Sequence, residues 1–206
     1  MLRRHFVLAA AAAAFVAPGR AAEDPLWFIF LEKGKPTPDD KERVTAMQRG
    51  HIDNFKRLFA AGKLFAAGPL ADPTAFKRGI VTVRAASLDE LMGYFQADDY
   101  VREGHMAVNA VPAVAHKALN TEGIDASKVE EVRIVLIPRA TPAPQPALKA
   151  LLDGGTFGAW YTLREGPVAD VLFARTTDSA ALQAALAPHS SGAVVWRQWL
   201  SPGVVR

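Results

Sequence analysis

Apolar and polar positions along the chain repeat one order of strand-like and helix-like segments. Leu26 to Glu32 (LWFIFLE) is a continuous aromatic and aliphatic run, the pattern of a buried strand. Thr37-Pro38-Asp39-Asp40 reads as a helix start, with Thr37 as N-cap, Pro38 in the first turn and acids beside it. Val44, Met47, His51, Phe55 and Leu58 then recur at steps of three and four, which predicts one helix face turned to a core. Gly62 is the expected helix stop. Leu64 to Ala67 is a short strand ended by Gly68-Pro69, and Ile80 to Val83 is another. Ser87-Leu88-Asp89-Glu90 has the form of a capping box. It opens a second helix with Leu88, Leu91, Met92 and Phe95 on its apolar face, continuing to Asp98, Asp99 and Tyr100. A fourth strand follows His105. The order is β-α-β-β-α-β, a ferredoxin-like unit with two helices covering one face of an antiparallel sheet.

The order then recurs. Asn120 to Lys128 is polar and aperiodic, and reads as a linker (121–130) between a domain over 23–120 and a second over 131–206. The second carries strands at Val132–Ile137, Ala159–Leu163, Val168–Ala174 and Ala193–Leu200. Its helices are Ala147–Leu152 and Ser179–Ala187, the latter capped by Asp178. Aligning IVTVRAASLDELMGYF with VLFARTTDSAALQAAL sets Arg84 on Arg175, Ser87 on Asp178, Leu91 on Leu182 and Phe95 on Leu186. In the same frame Asp98 falls on His189. Counting back from Gly62 and Gly155, His51 falls on Pro144. The second copy keeps the scaffold and lacks the histidine.

Ahead of these segments, Arg3-Arg4 precede the apolar run Phe6 to Ala17, too short to span a bilayer, which needs ~20 residues. Gly19-Arg20-Ala21 fits a signal-peptide cleavage site, so residues 1–22 are expected to be removed and the protein to be periplasmic or secreted. LRRHFVL also fits the twin-arginine pattern, as an alternative to a Sec signal. The leader changes the charge balance. It holds three of the 24 basic residues and none of the 21 acidic ones, leaving 21 of each in the mature chain. A neutral mature chain has no footprint for nucleic acid. No later stretch is apolar and long enough to span a membrane. The chain has no cysteine, so disulfides and thiolate chemistry are excluded.

Four of the five histidines lie beyond the leader and, with several acids, remain as candidate chemistry. His51 on the apolar stripe is either a core residue bonded to a carbonyl or a general base held by a carboxylate. Asp98 and Asp99 are either solvated acids at a helix end or the source of that carboxylate. An acid at a helix C-terminus opposes the helix dipole, which hints at a partner. His105 either lines the same pocket or caps the helix end; His116 and His189 are expected at the surface. Trp27, Trp160, Trp196 and Trp199 all fall on strands, as core or barrel lining. No spacing matches a metal site, a Gly-rich phosphate loop or a nucleophile elbow, so no metal and no cofactor is expected.

The spacing H-I-x-x-F-x-x-L-x-x-x-G-x-L-x-x-A-G-P-L, His51 to Leu70, resembles the YciI (YCII-related) proteins. So does a second motif, D-P-Y after the second helix, present here as Asp98-Asp99-Tyr100-Val101 with Asp99 in place of the proline. The resemblance covers about Trp27 to Val114. It implies a dimeric α+β barrel like that of muconolactone isomerase-like proteins, and a His-Asp site that maps to His51 and Asp98. One branch of the family is associated with dehydrochlorination of chlorinated hydroxyhydroquinones.

A ferredoxin-like unit must bury its open sheet face. The expected fold is therefore α+β: tandem ferredoxin-like (βαββαβ) units forming a pseudo-dimeric α+β barrel, as a monomer or a homodimer. Three functions follow. One is a cofactor-free lyase or isomerase acting on a small cyclic or aromatic compound through His51 and Asp98, with His105, Asp99 and Tyr100 near the pocket. The second is a non-catalytic module binding a small molecule. The third is a structural or interaction protein with no pocket near His51.

Overall fold

Residues 24–206 of the chain are described, from a computed structural model. The expected leader at 1–22 lies outside them. The apolar run becomes β1 (Leu26–Lys33), followed by α1 (Lys41–Ala60), β2 (Leu64–Pro69) and β3 (Lys77–Arg84). Then come α2 (Leu88–Tyr94), α3 (Asp99–Arg102) and β4 (Met106–Lys117). The second half runs β5 (Glu130–Pro138), α4 (Gln145–Asp153), β6 (Ala159–Leu163), β7 (Val168–Ala174), α5 (Ser179–Leu186) and β8 (Val194–Leu200).

The eight strands form one antiparallel sheet in the order β2-β3-β1-β4-β6-β7-β5-β8. Each half contributes four strands in the ferredoxin-like order. The halves join where β4 pairs with β6, Ala113 opposite Leu163 and Val114 opposite Thr162. On the other side the sheet nearly closes: Leu70 bridges Gln198, and the Ala71 amide donates to the Arg197 carbonyl at 3.0 Å. The result is a pseudo-dimeric α+β barrel built from one chain.

Alternation along the strands sorts the core into three clusters. Phe28, Phe30, Ile80, Ile134, Tyr161 and Phe173 point into the barrel. Ile29, Leu31, Val81 and Val83 point outward against Leu58, Leu91 and Phe95 of the first half's helical side. Val135, Ile137, Trp160 and Leu172 do the same against Leu148, Leu182 and Leu186. Because both faces of β1 are covered, its sequence is continuously apolar rather than alternating.

The repeat frame places equivalent residues in equivalent roles. Ser87 and Asp178 both cap their helices, and Leu91, Phe95, Leu182 and Leu186 are all buried. Gly62 and Gly155 both adopt the left-handed conformation, at φ +68° and +76°, that ends a helix. The absence of a counterpart to His51 has a structural form. α4 has 9 residues against 20 in α1, and Pro144 is its N-cap, so the turns that would hold such a residue are missing.

Several expectations need correction. α1 starts after Asp40, not Thr37: the Asp40 carboxylate accepts from the Glu42 and Arg43 amides at 2.9 and 3.1 Å and takes the cap. Leu88 and Met92 are not core residues, being 48% and 37% exposed, since seven-residue α2 buries only the stripe through Leu91 and on to Phe95. The expected single helix to Tyr100 is two helices. Gly68-Pro69 is strand rather than turn, whereas the other Gly-Pro pair that follows a strand, Gly166-Pro167, sits at the bend between β6 and β7, with Gly166 at φ +79°. The linker segment is mostly exposed and is held at its start, where the Asn120 amide donates to the Val204 carbonyl at 2.8 Å. Ile124 there rests on the barrel core, beside the buried Val204 and Val205.

Candidate active site

His51 sits in the middle of α1, where a helix fixes the backbone on both sides of it. Its ring meets Phe55, one turn on, edge to face at 4.5 Å, and Tyr100 of α3 at 5.7 Å and 89°. Its Nδ1 lies 2.6 Å from Asp98 Oδ2. The histidine side chain is 12% exposed and the aspartate not at all.

The break in the helix after α2 is what brings Asp98 there. Phe95 ends α2, and the Asp98 amide turns back to the Phe95 carbonyl at 3.0 Å. Asp98 then caps α3, its Oδ1 accepting the Tyr100 amide at 3.0 Å. The acid thus stands at a helix start, where the dipole favours it, not at the helix end the sequence suggests. One oxygen serves the cap and the other serves His51. An ionised carboxylate only accepts, so Nδ1–H donates to it. That tautomer leaves Nε2 as the basic atom, with no hydrogen-bond partner among the described residues.

The other candidates divide. Tyr100 is buried and touches His51. It also walls an open depression of about 500 Å³ along α1 whose lining includes Val44, Gln48 and Ile52 but not His51. Asp99 pairs with Arg102 and so leaves the histidine to Asp98. His105 is buried, and its backbone amide closes onto the Tyr100 carbonyl at 2.8 Å. Its Nε2 lies 3.7 Å from Glu103 and its Nδ1 has no partner among the described residues. No hydrogen bond or ring contact joins it to His51. His116 is exposed as expected, but it stacks on Trp160 at 3.6 Å; His189 is half-buried.

Sequence reasoning missed Asn54. It is 3% exposed, accepts from Arg57 Nη2 at 2.7 Å and leaves its Nδ2 without a partner among the described residues. The signal was the spacing Met47, His51, Asn54, Leu58, which is a tighter stripe than the one through the half-buried Phe55.

Residues 27–114, which span β1 to most of β4 and include both His51 and Asp98, match the YCII-related domain. The chain carries a YCII-related domain. No curated protein sequence matches the chain. Among solved structures, a candidate monooxygenase from Fusobacterium nucleatum superposes with a TM-score of 0.52 at 10% identity, over 89% of this chain and 97% of that one. A mutant chlorite dismutase from Candidatus Nitrospira defluvii, in complex with cyanide, superposes with a TM-score of 0.51 at 13% identity, over 86% and 92%. At such identities the likeness is one of fold, and it extends beyond the YCII-related domain to the second half of the barrel.

Proposed function

We propose that the YCII-related half carries a proton-transfer site, and that the protein is a cofactor-free lyase or isomerase acting on a small cyclic or aromatic compound. The observation that supports this is the 2.6 Å bond between His51 and a carboxylate with no solvent exposure. His51 Nε2 takes or returns the substrate proton. Asp98 holds the tautomer and offsets the charge that forms on the ring. Tyr100 borders both the imidazole and the depression along α1. One chain supplies both halves of the barrel and one such site, and the leader directs the protein to the periplasm or the medium.

Turnover of a panel of lactones and halogenated phenols tests the reading. His51→Ala and Asp98→Asn are expected to abolish conversion while the circular dichroism spectrum is retained. Full rates in both variants would remove the assignment. Sequencing the N-terminus of protein recovered from cell fractions tests the export.

The openness of the depression favours a second reading, a module that binds a small molecule without converting it, because an enclosed site is the commoner setting for catalysis. Thermal stabilisation by a panel compound with no product formed would select it.

A further inference from the structure

On the helical side of the second half, three donors converge on one buried carboxylate. Asp170 Oδ1 accepts from Thr162 Oγ1 at 2.6 Å, from Trp160 Nε1 at 2.9 Å and, at 3.5 Å, from Gln145 Nε2. Asp170 and Trp160 are each 2% exposed. His116 completes the cluster from the surface. Its ring lies flat on the Trp160 indole, 3.6 Å away and 16° from parallel, and its Nε2 is 2.9 Å from Thr162 Oγ1.

The backbone delivers His116 to this place. The register of β4 against β6 passes from Ala115–Tyr161 to Lys117–Trp160, so His116 is the extra residue of a bulge, a device that re-aims a side chain. The barrel's other seam has no such cluster. Arg164 N–H to the Pro112 carbonyl at 2.9 Å and Ala71 N–H to the Arg197 carbonyl at 3.0 Å are equivalent bonds of the two seams. Counting strand pairs from them sets Ala67, Pro69, Gly79 and Ser201 on Trp160, Thr162, Asp170 and His116. None of those four carries a ring of the aromatic kind or a charge, so the cluster is not part of the repeated scaffold.

Proton counting fixes the direction of the bonds. An ionised carboxylate only accepts, so Thr162 gives its single proton to Asp170, and its oxygen takes the His116 Nε2–H. A further proton enters at Nδ1, which has no hydrogen-bond partner among the described residues. The imidazolium so formed lies on the indole face and one hydroxyl from the carboxylate, and both attract its charge. Charges on neighbouring elements are turned elsewhere. Lys117 of β4 donates to the Arg206 carbonyl at 2.8 Å, Arg206 to the Glu122 carbonyl at 2.7 Å, and Lys149 of α4 pairs with Asp153 at 2.6 Å. Arg164 of β6 stands opposite Pro112, beyond Val114 from His116.

We propose that His116 is a proton-operated latch on the β4–β6 seam, the join between the YCII-related half and the second half. The latch is closed while the imidazolium is bridged through Thr162 to Asp170. It slackens as pH rises and Nδ1 gives up its proton. It draws on neither His51 nor Asp98, so it stands whether or not that pair moves a substrate proton.

Hydrogen exchange of the full chain at about pH 5 and about pH 8, the span in which histidine changes charge, tests it. The Arg164 amide reports the β4–β6 seam and the Ala71 amide the other one. After correction for intrinsic exchange, protection of Arg164 relative to Ala71 is expected to drop about two- to fivefold from the lower pH to the higher, the factor a cation on an exposed ring contributes. His116→Gln, at an exposed position, keeps a donor for Thr162 without a charge and is expected to show no such drop. Asp170→Asn is expected to shrink it; should that variant fail to fold, His116→Gln decides alone. A parent whose two amides lose protection in step, or a drop undiminished in either variant, overturns the latch.

Discussion

His51 Nδ1 and the Tyr100 amide share one carboxylate, Asp98, at 2.6 and 3.0 Å on its two oxygens. The residue is therefore both a helix cap and a histidine partner, and two substitutions separate the roles. Asparagine is as good a cap as aspartate but carries no charge, so Asp98→Asn is expected to lose about 1–3 kcal/mol through the bond to His51. Asp98→Ala loses the cap as well and is expected to cost about 1 kcal/mol more. Urea unfolding of the two variants checks the difference. Equal losses would mean that the cap contributes nothing.

Both members of that pair were legible in the sequence, and the reason they meet was not. His51 stood out because a polar ring interrupts an apolar stripe. Asp98 stood out as an acid beyond Phe95, but periodicity carried α2 straight through it. The break that makes Asp98 a cap depends on the 93–98 turns, where no Gly-Pro pair or cap-box spacing announces a stop. The repeat was readable because Ser87 and Asp178, or Leu91 and Leu182, do the same local work in both halves. Gly68 and Gly166, each before a proline, look alike in sequence and differ in the fold. The same residue type answers a strand crossing in one half and a left-handed turn in the other. Closure of the barrel is a long-range fact, and no local pattern carries it.

That crossing gives the second prediction. A Cβ on Gly68 would fall 2.0 Å from the Trp199 carbonyl oxygen, which belongs to the backbone of β8 and cannot turn aside. Gly68→Ala is expected to cost at or beyond the upper end of the ~1–3 kcal/mol typical of overpacking. It should also speed amide exchange at Ala71, whose N–H holds the same seam. Gly62→Ala is the control: nothing lies within 4 Å of the added carbon, but φ is +68°. Its cost should be about 1–2 kcal/mol of backbone strain, with exchange at Ala71 unchanged. Equal protection of Ala71 in both variants would contradict the close approach.

Asp72 gives a pH dependence. Burial pushes its carboxyl up, but hydrogen bonds from the Lys77 and Thr74 amides and the Thr74 hydroxyl together hold it below its ordinary value of 3.8. A carboxyl lowered in the folded state binds its proton more tightly when unfolded. Its stabilisation is therefore complete above the unfolded value and is lost as pH falls through the lower folded one. Asp72→Ala is expected to be less stable than the parent at pH 6, with the gap closing as pH drops below about 3.8. Denaturant midpoints at several pH values check this; a gap that widens on acidification would reverse the sign.

Tyr161 provides the last test, from inside the barrel. Its ring packs against Phe28 and Phe173, and its hydroxyl accepts the Leu119 amide at 2.6 Å, where β4 runs into the 120–128 segment. Burial pushes its phenol well above the ordinary value of 10.0, against the smaller opposing effects of the Leu119 amide and Arg84. A raised folded value means that its stabilising effect is whole below pH 10.0 and is lost as pH rises beyond it. In a spectrophotometric titration this tyrosine should stay protonated while the barrel holds and ionise only as the chain unfolds. Tyr161→Phe removes that last step and leaves the Leu119 N–H buried without its acceptor, at a cost of about 1–3 kcal/mol. If Tyr161→Phe leaves both the alkaline absorbance curve and the urea midpoint unchanged, the hydroxyl is not in the interior and the 120–128 segment is not anchored by it.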